Sequence, residues 1–402
     1  MKIFLIMRGP FPNGMAATKR ILCYAKGWMS KGIDCEVIVY TRTERYGDVP
    51  KNIVGKGTFE NVKFLYIKGT PLREKNVLLR VFNDYYDNIR LINYLRNNLK
   101  HGDIVFAFDK PNMFTKALIS MIHSKGGKYA RELCELPFGT SVENESSKKK
   151  RCKFERDIMP KIDGVIAISE ALADYAKAHC NPHCHIVKIP ILVEFEKYRM
   201  ANMSNEATAP YIFHCGTLYQ QKDGFPDMLK AFGMASKELP SDVKFYSTGR
   251  KEGSRHESEI NDIIEKYSLQ DKVVFLGYLS DDEIKDYLSK ARFVIINKLT
   301  TQQNKYCFST KLGEYMAASK PIITTQVGEA MNWLKHERDA YIIPPDNVES
   351  LKDAIKKMFI DNELCDRLGL YAQKTCLECF SIESNADKLR NFAFGVTDIN
   401  GN

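Results

Sequence analysis

The sequence predicts an α/β protein made of two Rossmann-like parallel-sheet halves, and two observations carry that prediction. Short apolar runs of strand length alternate with helical patterns along nearly the whole chain, the order that builds a doubly wound parallel sheet. The alternation lapses once, over EFEKYRMANMSNEATAP between Val193 and Pro210, a polar stretch without period that reads as an interdomain linker. At 402 residues the chain exceeds what one core ordinarily fills. The expected divisions are residues 1–195, a linker at 196–209, a second half at 210–380, and a C-terminal helix and tail at 381–402 that returns to the first half.

In the first half, KIFLIM (2–7) is a continuous apolar run of the kind found in strands covered on both faces. RGPFPNG (8–14) must be a loop, because two prolines and two glycines break any period. A helical pattern follows from Ala16 to Lys31, stopped by Gly32, and CEVIVYT (35–41) is the next strand. This opening βαβ unit places its first loop at a strand's carboxyl end, where open α/β sheets bind ligands. It is not GxGxxG, so no dinucleotide fingerprint is assigned. The alternation continues through KFLYI (63–67), a helix from Tyr85 to Leu99, DIVFAF (103–108), a helix from Met113 to His123 and KYARELC (128–134). GVIAI (164–168), a helix capped by Ser169, and HIVKIPIL (185–192) complete this half.

The second half repeats the pattern with YIFHCG (211–216), DVKFYSTG (242–249), KVVFLG (272–277), ARFVIIN (291–297), PIITT (321–325) and AYII (340–343). Ser280 to Glu283 and Asp346 to Glu349 have the form of capping boxes that start two of the intervening helices. Ser381 to Phe394 reads as a final amphipathic helix.

Composition narrows the class. A hydrophobic fraction of 44% with 27% charged residues is that of a soluble globular protein, and no run has the length that spans a bilayer. The opening MKIFLIM is too short for a secretory signal. Eleven cysteines, an odd number, argue for reduced thiols. The expected location is the cytoplasm. HCNPHCH (179–185) concentrates every potential ligand in one short segment, whereas structural zinc sites draw on two separated pairs, so no metal is assigned. A net charge of +9 is modest, and its clearest cluster is Lys148, Lys149, Lys150 and Arg151 with Lys153 and Arg156. That cluster is either a solvated helix start or a docking patch for anionic lipid headgroups at the inner membrane face or for a lipid-pyrophosphate acceptor. No aromatic-rich basic motif accompanies it, so nucleic acid is not an expected partner.

The most informative stretch is STKLGEYMAASKPIITT, Ser309 to Thr325. Ser309 or Thr310 can cap a helix whose first amides and positive dipole end suit an anion, and Lys311 adds a formal charge. Glu314, one turn on, would repel a phosphate but would accept hydrogen bonds from a vicinal diol such as ribose. The competing reading is a capped helix followed by a buried strand.

Several stretches together resemble the retaining, family-four glycosyltransferases of the GT-B fold, in which two Rossmann-like domains face a central cleft. The resemblance covers nearly the whole chain. Its most specific parts are HCGTLYQQKDG (214–224), residues 273–295, Ser309 to Thr325, and residues 327–355, with DGVIAISEAL (163–172) in the first half. It implies a nucleotide-diphosphate sugar as donor, with neither cofactor nor metal. Glu314 matches the second glutamate of the family's paired-glutamate motif, which holds the nucleotide ribose. Lys222 matches the lysine that faces the donor diphosphate, where an ammonium stabilises charge on the leaving group. Gly216, Thr217, Gly249, Arg250, Ser309, Thr310, Lys311 and Leu312 fall at the remaining donor positions. Gly9, Asn13 and Gly14 match the loop that closes from the other domain.

Three positions depart from the pattern. Thr217 stands where the family has arginine, Tyr306 where the first glutamate is expected, and Phe108 where a first-domain histidine is usual, with Asp109 beside it. Asp109 and Glu135 are therefore the acids expected to contact acceptor hydroxyls, Asp109 being the catalytic candidate with Lys222 and Glu314. The implied reaction is direct transfer with retention to a glycan or lipid-linked acceptor, in bacterial surface polysaccharide synthesis, with closure of the two domains. A non-catalytic scaffold in a polysaccharide assembly and a sugar-nucleotide epimerase on the same fold are the alternatives.

Overall fold

The computed structural model describes residues 1–139, 143–199 and 210–397. Two compact units are present, one formed by Met1–Leu192 with the C-terminal helix Ile382–Thr397, the other by Val193–Ser381. Each is a parallel α/β sheet, as its continuous apolar runs demand.

The first unit carries eight strands: β1 Lys2–Met7, β2 Asp34–Val39, β3 Lys56–Phe59, β4 Val62–Tyr66, β5 Ile104–Ala107, β6 Lys128–Leu133, β7 Gly164–Ala167 and β8 His185–Lys188. Their order is β3-β4-β2-β1-β5-β6-β7-β8. Every pairing is parallel except the β3–β4 hairpin. β3 escapes sequence reading because KGTF has no apolar run and lies mostly exposed. The helix expected from Tyr85 begins earlier, at Val77, where the Asn76 side chain accepts from the Leu78 and Leu79 amides. Strand β1 is the centre of the core, with Ile3, Phe4 and Leu5 fully buried.

The C-terminal helix packs on the first helix, Ala16–Met29. Trp28 Nε1 donates to the Leu389 carbonyl at 2.8 Å. Gly27 permits that approach, since a Cβ there would meet Leu389 Cδ1 at 2.4 Å.

The second unit has six strands: β9 Tyr211–His214, β10 Lys244–Ser247, β11 Val273–Phe275, β12 Phe293–Ile296, β13 Ile322–Thr325 and β14 Tyr341–Ile343. They are ordered β11-β10-β9-β12-β13-β14, all parallel. Phe225, Phe232, Phe245 and Phe293 fill its core. Residues 196–199 of the expected linker are not irregular: they continue the helix Phe195–Arg199, which buries Phe195 and Tyr198 at helical spacing. Residues 200–209 lie outside the described residues.

Ser280 forms the full capping box with Glu283. The second box is corrected: Asn347, not Asp346, caps its helix by accepting from the Ser350 amide at 2.9 Å. The Asp346 carboxylate instead accepts from the Thr300 amide at 3.2 Å. Among the described residues no helix is long and apolar enough to cross a membrane.

Both sheets change winding direction once, between β1 and β5 in the first unit and between β9 and β12 in the second. Loops leaving the carboxyl ends at such switch points are where open α/β sheets hold ligands.

Candidate active site

At the second unit's switch point, the loop after β9 runs through Gly216, Thr217 and Lys222, the last on the short helix Gln220–Asp223. The loop is organised by Asp223. Its Oδ2 accepts from Thr217 N at 2.8 Å and Thr217 Oγ1 at 2.6 Å, and its Oδ1 pairs with Lys298 from the loop after β12. Burial alone would raise the Asp223 carboxyl, but the Lys298 ammonium, His214 and the hydrogen bonds from Lys298 and Thr217 hold it well below the usual range. Lys298 Nζ also donates to the Lys222 carbonyl at 3.0 Å. Thr325 fixes the backbone of Lys298, accepting from its amide at 2.8 Å and donating to its carbonyl at 2.7 Å.

Gly216 has no room for a side chain, because a Cβ would meet the His214 ring at 2.7 Å and Asp223 Oδ2 at 3.1 Å. Thr217 is thus a structural partner of Asp223, and the cation paired with Asp223 is Lys298 from the loop after β12. Among the described residues the Lys222 ammonium makes no hydrogen bond or ion pair, while its backbone is anchored.

The helix Thr310–Ala317 starts beside this loop. Ser309 occupies its N-cap position but makes no side-chain cap, so its hydroxyl does not serve the first amides as the sequence suggested. Ser309 and Leu312 line a small pocket with Lys298, Asn304, Thr324 and Val327. Tyr315, on the same helix, accepts from the Cys215 amide at 3.0 Å and so ties the helix to the end of β9. Lys311 pairs along the helix, its Nζ lying 3.0 Å from Glu314 Oε2. Glu314 is buried, and the Tyr198 hydroxyl reaches the same carboxylate. Burial and that negative charge push the Tyr198 hydroxyl well above its ordinary value.

Gly249 bridges Gly277 at φ +93, a conformation that favours glycine, and exposed Arg250 lies over the Tyr278 ring at 6.0 Å. Tyr306 ends the short helix Gln302–Tyr306.

The first unit's switch point is built differently. The loop holding Gly9, Asn13 and Gly14 is fastened by neutral groups. Tyr66 Oη accepts from Phe11 N at 3.1 Å and donates to Phe11 O at 2.9 Å, and Thr18 Oγ1 donates to Pro10 O at 2.6 Å. Asn13 N donates to Asn52 Oδ1 at 2.9 Å while Asn52 Nδ2 donates to Asn13 O at 2.8 Å. A Cβ on Gly14 would meet Thr18 Oγ1 at 2.0 Å.

Across the switch, Phe108 joins an aromatic cluster with Tyr24 and Phe106. Asp109 is half-buried, hydrogen-bonded by the Tyr40 hydroxyl, and lines a small pocket with Tyr40, Asn88, Asn112 and Tyr129. Desolvation lifts its carboxyl to about 6 against the opposing pull of Tyr40, Arg131 and Arg8. Buried Arg131 donates to the Asp109 carbonyl at 2.8 Å and lies over the Phe154 ring at 5.1 Å, with Nε and Nη1 unpaired. Glu135 is exposed. The neighbouring Glu132 is the buried acid, bound by Arg20 at 2.9 Å and Tyr24 at 3.0 Å.

The HCNPHCH residues serve local packing: His179 bonds the Tyr175 carbonyl at 2.8 Å and His185 lies against Phe392. No group of three or more potential metal ligands occurs among the described residues.

Comparison with known proteins bears on this arrangement. Residues 198–375 match the family model described as glycosyl transferases group 1. The chain is 20% identical to the uncharacterized glycosyltransferase YqgM of Bacillus subtilis over 299 residues, 71% of this chain and 77% of that one. It is 26% identical over 132 residues to the uncharacterized glycosyltransferase MJ1607 of Methanocaldococcus jannaschii, 33% of each chain. Among solved structures, sucrose-phosphate synthase of Thermosynechococcus elongatus superposes with a TM-score of 0.72 at 15% identity, covering 97% of both chains. Anabaena HepE in complex with UDP-glucose gives 0.69 at 14% identity, covering 97% of this chain and 98% of that one. The two-sheet architecture is therefore the GT-B fold.

Proposed function

We propose, from the match of residues 198–375 to the group 1 glycosyl transferases, that the protein moves a sugar from a nucleotide-diphosphate donor to a glycan or lipid-linked acceptor with retention. Bacterial surface polysaccharide synthesis is the role we assign to that reaction, at the cytoplasmic side of a membrane. The observation that carries the reading is the switch point between β9 and β12. There the Thr310–Ala317 helix begins without a side-chain cap, an unpaired Lys222 ammonium stands on an anchored loop, and a buried carboxylate follows one turn into the helix.

In this reading the helix start and Lys222 take the diphosphate. Negative charge grows on that group as the glycosidic phosphate bond breaks, and a fixed cation in place beforehand lowers the barrier. Glu314 accepts the ribose hydroxyls, exchanging its present contacts with Lys311 and Tyr198 for them. Asp109, held near the middle of the physiological range, takes an acceptor hydroxyl in the first unit. The departures at Phe108 and Thr217 are compatible with activity, because each fills a packing or hydrogen-bonding role of its own. UDP-glucose, bound in the HepE structure, makes uridine diphosphate sugars the first donors to try.

The test is to incubate the protein with nucleotide sugars and candidate glycosyl acceptors, and to follow nucleotide diphosphate release and product anomers by NMR. Release that depends on acceptor, with the donor's anomeric configuration kept, supports the reading. Donor interconversion without acceptor would assign an epimerase instead, and donor binding without any turnover a scaffold.

A further inference from the structure

The helix Val77–Asn98 buries residues of its later turns and leaves its first turns uncovered. Asp87, Asn88, Leu91 and Leu95 face the first unit's interior. The first turns do the opposite: Leu78 is 80% exposed, Val81 64% and Phe82 58%, with Val77 and Tyr85 also outward. Positions 77, 78, 81, 82 and 85 fall on one helical face. The uncovered surface continues beyond the helix. Tyr46 is exposed and holds the Lys75 ammonium over its ring at 5.5 Å, and Met113 stands out beside Phe114, whose ring meets Tyr85 at 4.8 Å. A contiguous apolar face of this kind on a soluble unit marks an interaction surface.

The charges around the face are segregated. Buried Arg42 draws Glu74 and Asp87 inward, Glu44 turns to Asn52, and Glu60 pairs with Lys26. Asp84 also lies within ion-pair reach of Arg42, at 4.0 Å, which leaves Asp48 against Arg45, Lys51, Lys68, Lys75 and Arg80 in the same part of the chain. An apolar helix face with outward aromatic rings and a cationic margin is the complement of an anionic lipid surface.

We propose that this face docks the first unit onto anionic bilayers, Val77, Leu78, Val81 and Phe82 entering the interface while Lys75 and its neighbours meet lipid phosphates. The surface leads to the acceptor side. Asn112 Nδ2 donates to Asn88 Oδ1 at 2.8 Å, strapping the loop that carries Asp109 to the same helix, and Asn88 lines the Asp109 pocket. A docked protein thus meets its acceptor at the lipid surface, and for this last point the inference rests on the glycosyl-transfer reading above. The basic helix Glu145–Asp157 lacks such a face: its buried side is Phe154 alone, and Arg151 and Arg156 pair with Glu143 and Asp157.

The test is co-sedimentation with phosphatidylcholine vesicles, with and without phosphatidylglycerol. The wild type is expected to bind the phosphatidylglycerol vesicles and to bind phosphatidylcholine far more weakly. Leu78→Asp with Val81→Asp should lower the partition coefficient at least about tenfold, and Lys75→Glu by roughly fivefold or more. Phe82→Ser serves as the second variant should the double one fold poorly, as judged by circular dichroism. Donor-induced thermal shifts, which depend on the second unit, should survive all of these changes, so loss of docking is distinguishable from failure of the transferase reading. Absence of binding to phosphatidylglycerol vesicles overturns the proposal, as does equal binding by the folded variants. A wild-type dimer that these substitutions make monomeric would assign the face to a second copy and overturn it too.

Discussion

The two switch points share a topology and differ in what fastens them. After β9 the loop is held by charge, with Asp223 between Thr217 and Lys298 and the Lys222 ammonium left over. After β1 it is held by neutral hydrogen bonds from Tyr66, Thr18 and Asn52, and the one acid across the switch, Asp109, is raised to about 6. The second unit therefore offers a cationic, anion-seeking edge, and the first an edge whose carboxyl, raised to about 6, can exchange a proton near neutral pH. That difference matches a diphosphate on one side and hydroxyls on the other.

The comparison breaks most sharply at Lys222. Lys222→Ala should lower turnover about a hundredfold or more, the scale for losing one fixed donor to developing charge. Its melting temperature should stay near wild type, because the ammonium makes no hydrogen bond or ion pair among the described residues; a fall in stability matching the fall in activity would count against the role.

Lys298→Met should act the opposite way, on the fold first. It leaves Asp223 buried without its cation and should cost on the order of 3 kcal/mol in chemical denaturation. It should also change the acid limb. The folded Asp223 pKa lies below the unfolded value of about 3.9, so its stabilisation is complete above that pH and is lost as pH falls below it. The variant should lose less stability than wild type on that descent.

Tyr66→Phe tests the neutral loop. Two hydrogen bonds to Phe11 disappear and the Phe11 amide is orphaned, which should cost about 1–3 kcal/mol. Unlike Lys298→Met, the loss should be the same at low and high salt.

The smallest effect is expected from Asp109→Asn. Because the folded pKa of Asp109 is raised to about 6, this group penalises the folded state above that pH, and the penalty is relieved as pH falls from 6 toward 4. Wild type should gain slightly in melting temperature over that interval relative to the variant. If Asp109 contacts the acceptor, the acid limb of the pH–rate profile near 6 should vanish with it.

The sheets were legible because strands buried on both faces are continuous apolar runs, and KIFLIM, GVIAI and ARFVIIN mark β1, β7 and β12 accordingly. Strand β3 was not, since it is exposed and contributes no pattern. The helix Phe195–Arg199 was hidden in a polar segment because two buried aromatics are too few to set a period. At the site, Ser309 and Glu314 are singled out by their place at a helix start, and Lys222 only by the family resemblance. Lys298 is 75 residues from Asp223, and only the adjacency of β9 and β12 brings them together. Tyr198 and Arg131 were missed for the same reason. The pairing of Lys311 with Glu314, three residues on, is one the sequence reading did not draw.

The central claim is a nucleotide-diphosphate sugar site in the second unit that depends on Glu314. The most direct measurement is a thermal-shift panel of uridine, guanosine, adenosine and cytidine diphosphate sugars, each shift taken relative to the unliganded melting temperature of the wild type or of Glu314→Ala. A donor at about a hundred times its Kd should add roughly 2.7 kcal/mol of apparent stability. The account predicts a shift with one nucleotide class in the wild type and none in Glu314→Ala. No shift with any donor, or a full shift retained without the carboxylate, would contradict it.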